Sequence, residues 1–176
     1  MMNRRRLTLA GLSITVLGVF LRSARGRAEG AAGSTFEITK SEEQWRKQLT
    51  SEQFFVLRKH GTERAGSSPL DKQYAHGTYL CAGCDLALFS SKTKFNSSTG
   101  WPSFYAPIEN AVATSVDKSL LTTRTEVHCR RCSGHLGHVF EDGPAPTGLR
   151  YCMNGVAVPA RDREVVLAPE GSTSSL

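Results

Sequence analysis

The sequence predicts a mainly β, α+β domain entered through two short helices, and three observations predict it. Two hydroxyl-led capping patterns stand close together near residues 41 and 50, where a folded region would begin. From Gly77 onward the texture changes to β-branched and aromatic residues broken by Gly, Pro, Asn and Ser, which favours short strands joined by turns. Four of the five cysteines fall into two Cys-x-x-Cys pairs, a pattern that staples distant strands around one metal ion.

Before the folded region comes a segment with the grammar of a removable address. Asn3-Arg4-Arg5-Arg6 is followed by an apolar stretch from Leu7 to Leu21 and a small-residue region ending Gly26-Arg27-Ala28. The apolar run is shorter than the roughly 20 residues that cross a bilayer, so no stable membrane anchor is expected. Adjacent arginines resemble a twin-arginine export signal, with an ordinary secretory signal as the alternative, and either predicts a periplasmic or exported product. The segment contains no cysteine that lipidation would need. We therefore read 1–28 as a signal peptide, 29–35 as a linker rich in Gly, Ala and Ser, 36–168 as one domain and 169–176 as a frayed tail.

The formal net charge of +6 suggests an acidic partner, yet six arginines and no acid lie in residues 1–28. The remainder holds 16 basic and 16 acidic residues, and a nucleic-acid binder would keep its basic excess in the mature domain. No nucleic-acid partner is expected.

Ser41-Glu42-Glu43-Gln44 reads as a capping box that starts a helix running to about Leu49. Thr50-Ser51-Glu52-Gln53 repeats it, with Leu49 and Phe54 placed as a hydrophobic staple and Gly61 suited to the left-handed stop. Strands are predicted at Gly77–Leu80, Leu120–Val127, Gly137–Phe140 and Val156–Val158, with Pro102, Pro107, Pro144 and Pro146 marking breaks.

Cys81-Ala82-Gly83-Cys84 and Cys129-Arg130-Arg131-Cys132 each leave two residues between thiols, which lets both converge on one ion. Gly83 and Ser133-Gly134 supply the loose backbone of such knuckles. A closed structural zinc site is the reading, with two disulfides or an iron site as alternatives. Four filled thiolate positions leave no open place for substrate, so the chemistry belongs elsewhere.

Cys152 is the odd cysteine. Such a thiol is often inert and buried, but Gly148-Leu149-Arg150-Tyr151-Cys152-Met153-Asn154 reads as a strand that places Arg150, Cys152 and Asn154 on one face. A guanidinium beside a thiol favours the thiolate, which makes Cys152 a candidate nucleophile. His135-Leu136-Gly137-His138-Val139-Phe140-Glu141-Asp142 offers two imidazoles and a carboxylate as the proton donor such a nucleophile needs. Trp101, held between Gly100 and Pro102, is either core or the wall of a pocket suited to a methylated sulfur.

Five segments, Gly-Thr-Tyr-Leu-Cys-Ala-Gly-Cys, Thr-Gly-Trp-Pro-Ser-Phe, Arg-Thr-Glu-Val-His-Cys-Arg-Arg-Cys, His-Leu-Gly-His-Val-Phe and Gly-Leu-Arg-Tyr-Cys-Met-Asn, resemble the B-type methionine sulfoxide reductases. The resemblance runs from about Ile38 to Val158 and implies two antiparallel sheets with flanking helices, one structural zinc, and reduction of the R epimer of methionine sulfoxide, in proteins as the family usually prefers, with the free amino acid as the alternative substrate. It implies Cys152 as nucleophile, His135 and His138 as catalytic histidines, Asp142, Arg150 and Asn154 as supporting groups, and Trp101 against the sulfoxide methyl. One departure matters: many relatives carry a resolving cysteine just before Gly-Trp-Pro-Ser-Phe, and here the residue is Thr99. With the cysteine count exhausted, a Cys152 sulfenic acid is expected to be reduced by an external thiol such as a thioredoxin-like protein or glutathione.

Two other classes remain open at this point. A non-enzymatic zinc-ribbon module would explain the knuckles but not the Arg-Tyr-Cys-Met-Asn segment or the His pair. A zinc hydrolase or deaminase needs an open metal position with an acid beside the ligands.

Overall fold

The computed structural model describes residues 36–119 and 122–161. The expected signal segment, linker and tail lie outside the described residues, as do Leu120 and Leu121 of one predicted strand.

Both capping boxes form. Ser41 Oγ accepts the Gln44 amide at 3.2 Å while the Gln44 side chain accepts the Ser41 amide at 2.8 Å, starting α1 (Glu42–Gln48). Thr50 and Gln53 make the same exchange at 3.1 Å in each direction, starting α2 (Ser51–Lys59). Such caps are worth about 1 kcal/mol each. The staple residues Leu49 and Phe54 are both buried. The stop differs from the expectation: His60, at φ 54°, takes the left-handed position. Gly61 instead lets the exposed Phe55 ring lie over the chain, since a Cβ there would stand 2.2 Å from that ring and displace it.

Nine strands follow among the described residues: β1 (Thr78–Leu80), β2 (Ala87–Ser90), β3 (Lys94–Phe95), β4 (Ser103–Phe104), β5 (Val112–Asp117), β6 (Arg124–Cys129), β7 (His135–Phe140), β8 (Arg150–Met153) and β9 (Ala160–Arg161). They make two antiparallel sheets, as the resemblance implied: a small one ordered β2-β1-β9 and a six-stranded one ordered β3-β4-β8-β7-β6-β5. Phe104 of β4 joins them, stacking on Phe89 at 4.5 Å and meeting Tyr79 edge-on at 4.8 Å, with all three rings buried. Aromatic pairs of this kind add about 0.5–1.5 kcal/mol each beyond the area they bury.

Two strand expectations need correction. The one placed at 120–127 is shifted toward the C-terminus, because β6 takes its register from β5 and the Arg124–Asp117 ion pair at 2.6 Å ties the turn end of that hairpin. Val156-Ala157-Val158 alternates as a strand does, yet Gly155–Ala157 is a turn of 3-10 helix. Glu63 explains it: its carboxylate accepts the Gly155 amide at 2.6 Å and the Val156 amide at 3.1 Å, donors that a ladder would otherwise have used.

Candidate active site

β7 and β8 pair so that His138 stands directly opposite Cys152. That close ladder depends on Gly137, because a Cβ there would lie 2.1 Å from the Cys152 carbonyl oxygen. On its other side β8 pairs with β4, which places Ser103 opposite Cys152 and brings the preceding turn, with Thr99 and Trp101, to the same sulfur. The result is a small cavity of about 120 Å³ lined by Thr62, Trp101, Arg124, Gly137, His138, Phe140, Cys152 and Asn154. A larger cavity of about 820 Å³ beside α2 has no cysteine or histidine in its lining, so the chemistry points to the smaller one.

Each histidine is held by a carboxylate that the sequence reading missed. His138 Nε2 donates to Asp117 Oδ2 at 2.8 Å, and Asp117 is fixed in turn by Arg124. His135 Nδ1 donates to Glu126 Oε1 at 2.7 Å, while Ser115 donates to Glu126 Oε2 at 2.8 Å. His135 does not line the cavity; it is buried behind His138 with ring centroids 5.4 Å apart, and burial holds its pKa below the usual histidine range.

The expected supporting residues divide into two groups. Asn154 lines the cavity and is locked by two bonds, its Nδ2 donating to the Leu136 carbonyl at 3.0 Å and its Oδ1 accepting the Glu63 amide at 2.9 Å. Trp101 Nε1 donates to the Glu63 carbonyl at 3.1 Å, so Glu63 braces the indole as well. Arg150 and Asp142 form a bidentate pair, 2.8 and 2.9 Å, in a neighbouring cleft, with the guanidinium 4.4 Å over the Phe140 ring. Arg150 does favour the Cys152 thiolate, but one expectation is corrected: burial outweighs it, and the thiol lies above the ordinary cysteine range. Thr99, Arg150 and Ser103 oppose that shift without reversing it.

The other four thiols meet at the far ends of β1 and of the β6–β7 hairpin. Cys81 Sγ lies 3.6 Å from Cys132 Sγ and Cys84 Sγ 3.5 Å from Cys129 Sγ, with all four sulfurs within 4.8 Å of one another. Bonded sulfurs would be about 2.05 Å apart. A tetrahedron of sulfurs about 2.3 Å from one zinc has edges of about 3.8 Å, so the cage fits the ion. The left-handed knuckle residues are Asp85, at φ 56°, and Ser133, at φ 59°. Both helices brace the cage: Gln48 donates to the Gly83 carbonyl at 2.7 Å, and Arg58 to the Cys132 and Ser133 carbonyls at 2.9 and 3.1 Å.

Residues 49–161 match the SelR domain. The chain is 52% identical over 124 residues to the peptide methionine sulfoxide reductase MsrB of Leptospira interrogans, an alignment spanning 70% of this chain and 95% of that protein. It belongs to the B-type methionine sulfoxide reductase family. Other members of that name are those of Methanosarcina barkeri, 54% identical over 72% of this chain and 90% of the relative, and Pseudomonas putida, 50% identical over 73% and 98%. For a B-type reductase the four-cysteine cage is a single structural zinc site, remote from the cavity and closed to substrate. Thr62 and Arg124 of the lining were not foreseen, and neither were the bracing carboxylates Asp117, Glu126 and Glu63. Only Glu126 offered a signal, as the acid of Arg-Thr-Glu-Val at an alternating position in a predicted strand.

Proposed function

We propose that this chain reduces methionine-R-sulfoxide to methionine with Cys152 as the nucleophile, His138 as the proton donor and Trp101 as the wall against the sulfoxide methyl. The in-register pairing of His138 and Cys152 on one cavity carries the reading. The Cys152 thiolate attacks the sulfoxide sulfur while a proton reaches the oxygen, and the S–O bond breaks as oxygen passes to Cys152. Methionine leaves, and Cys152 is oxidised to a sulfenic acid. With Asp117 accepting from Nε2, the imidazole of His138 is oriented, and in its imidazolium form the second proton, on Nδ1, is the one given to the substrate oxygen. Asn154 shapes the cavity floor, His135 packs behind His138, and the Asp142–Arg150 pair keeps positive charge near the sulfur.

Because Thr99 occupies the place of a resolving cysteine, two equivalents of an external thiol return the sulfenic acid to thiol, releasing water and a disulfide. A thioredoxin-like protein is the reductant we favour, and protein-bound methionine sulfoxide the substrate. The zinc, held by Cys81, Cys84, Cys129 and Cys132, supplies stability and no chemistry.

The test is NADPH oxidation coupled through thioredoxin, run separately on the R and S sulfoxides of an acylated methionine. The R epimer alone should turn over, and Cys152→Ser should abolish it; equal rates for both proteins would end the proposal. Mass spectrometry after one turnover without reductant should find a sulfenic acid on Cys152 and no disulfide to it.

We also propose export through the segment at 1–28. Its support is the Arg4-Arg5-Arg6 run before the apolar stretch. Replacing Arg4, Arg5 and Arg6 by lysine should hold the protein in the cytoplasm of a cell that otherwise exports it.

A further inference from the structure

Thr99, Ser97 and Ser103 form a continuous chain of hydroxyls that ends on the nucleophile. Thr99 Oγ1 stands 3.9 Å from Cys152 Sγ, Ser97 Oγ 2.8 Å from Thr99 Oγ1, Ser103 Oγ 2.7 Å from Ser97 Oγ, and Ser103 reaches the Trp101 carbonyl at 3.1 Å. Each hydroxyl has one proton to give, and the terminal carbonyl has none. With Cys152 as a thiol, only one ordering satisfies all the contacts. Cys152 donates to Thr99, Thr99 to Ser97, Ser97 to Ser103, and Ser103 to the Trp101 carbonyl.

Loss of the thiol proton to water leaves a sulfur that only accepts. Thr99 must then turn its hydroxyl to the sulfur, Ser97 must donate to Thr99, and Ser103 to Ser97, which releases the Trp101 carbonyl. The three contacts that run from Cys152 to Ser103 therefore serve both protonation states with the donor reversed in each, and only the Ser103 bond to the Trp101 carbonyl is given up. We propose that this chain is a polarity switch for the nucleophile, in which Thr99 is a catalytic residue that donates to the Cys152 thiolate and Ser97 and Ser103 are positioning residues that orient it.

The surroundings make such a donor matter. Burial works against charge on Cys152, and the groups that relieve it approach from different sides. Arg150 lies on its own strand, His138 faces it from β7, and Arg124 lines the cavity from β6. Asp142 and Asp117 are engaged with Arg150 and with His138 and Arg124. From the β4 side the approach is made by neutral hydroxyls, Thr99 and Ser103, both of which favour the charged sulfur. Ser103 is fully buried and is the ladder partner of Cys152, so the far end of the chain is anchored in the sheet. A residue that replaces the resolving cysteine thus keeps a role at the sulfur, as a hydrogen-bond donor in place of a thiol.

The inference takes Cys152 as the nucleophile, but its test needs no turnover, so the two fail separately. The rate of iodoacetamide alkylation at Cys152, resolved by mass spectrometry, is followed against pH in the zinc-loaded full chain. Thr99→Val should raise the pH of half-maximal rate by about 0.5 to 1 and slow alkylation at pH 7 about three- to tenfold, the scale of one ordinary hydrogen bond, as suits a contact as long as 3.9 Å. Thr99→Ser should stay within about twofold of wild type, and Ser97→Ala should move in the same direction as Thr99→Val by a smaller amount. A Thr99→Val profile that superimposes on wild type overturns the proposal, as does an equal shift in Thr99→Ser, which would trace the effect to packing. Should Thr99→Val lose its zinc, Ser97→Ala decides: an unmoved profile counts against the switch and a rise supports it.

Discussion

Cys152 and His138 are direct cross-strand partners, and the Asp117 carboxylate on His138 is the only charged brace on that imidazole among the described residues. The pair stands on rigid ladders, so orientation of the ring falls to Asp117. Asp117→Asn should keep the fold, because Asn can still accept from the Nε2 proton, but it removes the charge opposite the ring. We expect kcat to fall about 10- to 100-fold with KM little changed, against the 10²- to 10⁴-fold expected for His138→Ala. A full kcat in Asp117→Asn would remove Asp117 from the mechanism.

Glu63 joins the cavity to the turn after β8. Its side chain caps Gly155 and Val156, its amide donates to Asn154, and its carbonyl accepts from Trp101. Glu63→Ala strands the two amides while leaving the backbone contacts in place, and hydrogen bonds to a charged group contribute about 1.5–3 kcal/mol. The expected result is a loss of about 3 kcal/mol in urea unfolding, together with a KM raised more than kcat is lowered, because the Glu63 backbone that braces Asn154 and Trp101 loses its own anchor on Gly155 and Val156. Unchanged stability would show that the caps carry little weight.

What could be read in advance was local. The capping boxes need only residues three apart, the zinc cage is announced by paired spacings, and Arg150, Cys152 and Asn154 share one short segment. The braces were illegible because each is made across the chain: Glu126 meets His135 after 9 residues, Asp117 meets His138 after 21, and Glu63 meets Gly155 after 92. An isolated carboxylate in a sequence carries no mark of the histidine or amide it will meet. The failed strand at 156–158 has the same cause, since a remote carboxylate diverted amides whose local pattern favoured a ladder.

The zinc cage joins the end of β1 to the β6–β7 hairpin, and both helices brace its knuckles. Four sulfurs 3.5–3.6 Å apart in their closest pairs cannot all carry charge without a cation among them. Metal analysis should return about one zinc per chain, and Cys84→Ser should reduce it by more than half. A strong chelator should abolish activity together with near-UV circular dichroism, since the ion acts through the fold. Activity that survives complete zinc removal would contradict this.

Acid should destabilise the protein through His135 and Glu126. Burial holds the His135 pKa below the ordinary histidine range, so the unfolded chain takes up its proton first, and stability declines as pH falls below about 6.5. Glu126 is pushed up by burial but brought below the usual carboxylate range by the His135 and Ser115 donors. Its contribution is present above about pH 4.3 and is lost as pH falls through the lower folded value. Both signs agree, so urea midpoints should decrease from pH 7 to pH 4 and continue downward below that. Glu126→Gln should cost about 1–3 kcal/mol at pH 7, flatten the carboxylate portion of the curve below about pH 4.5 and extend the histidine portion to lower pH, because the carboxylate that raises the His135 pKa against burial is gone. Midpoints that stay level between pH 7 and pH 4 would mean that the buried His135–Glu126 pair does not control the acid limb.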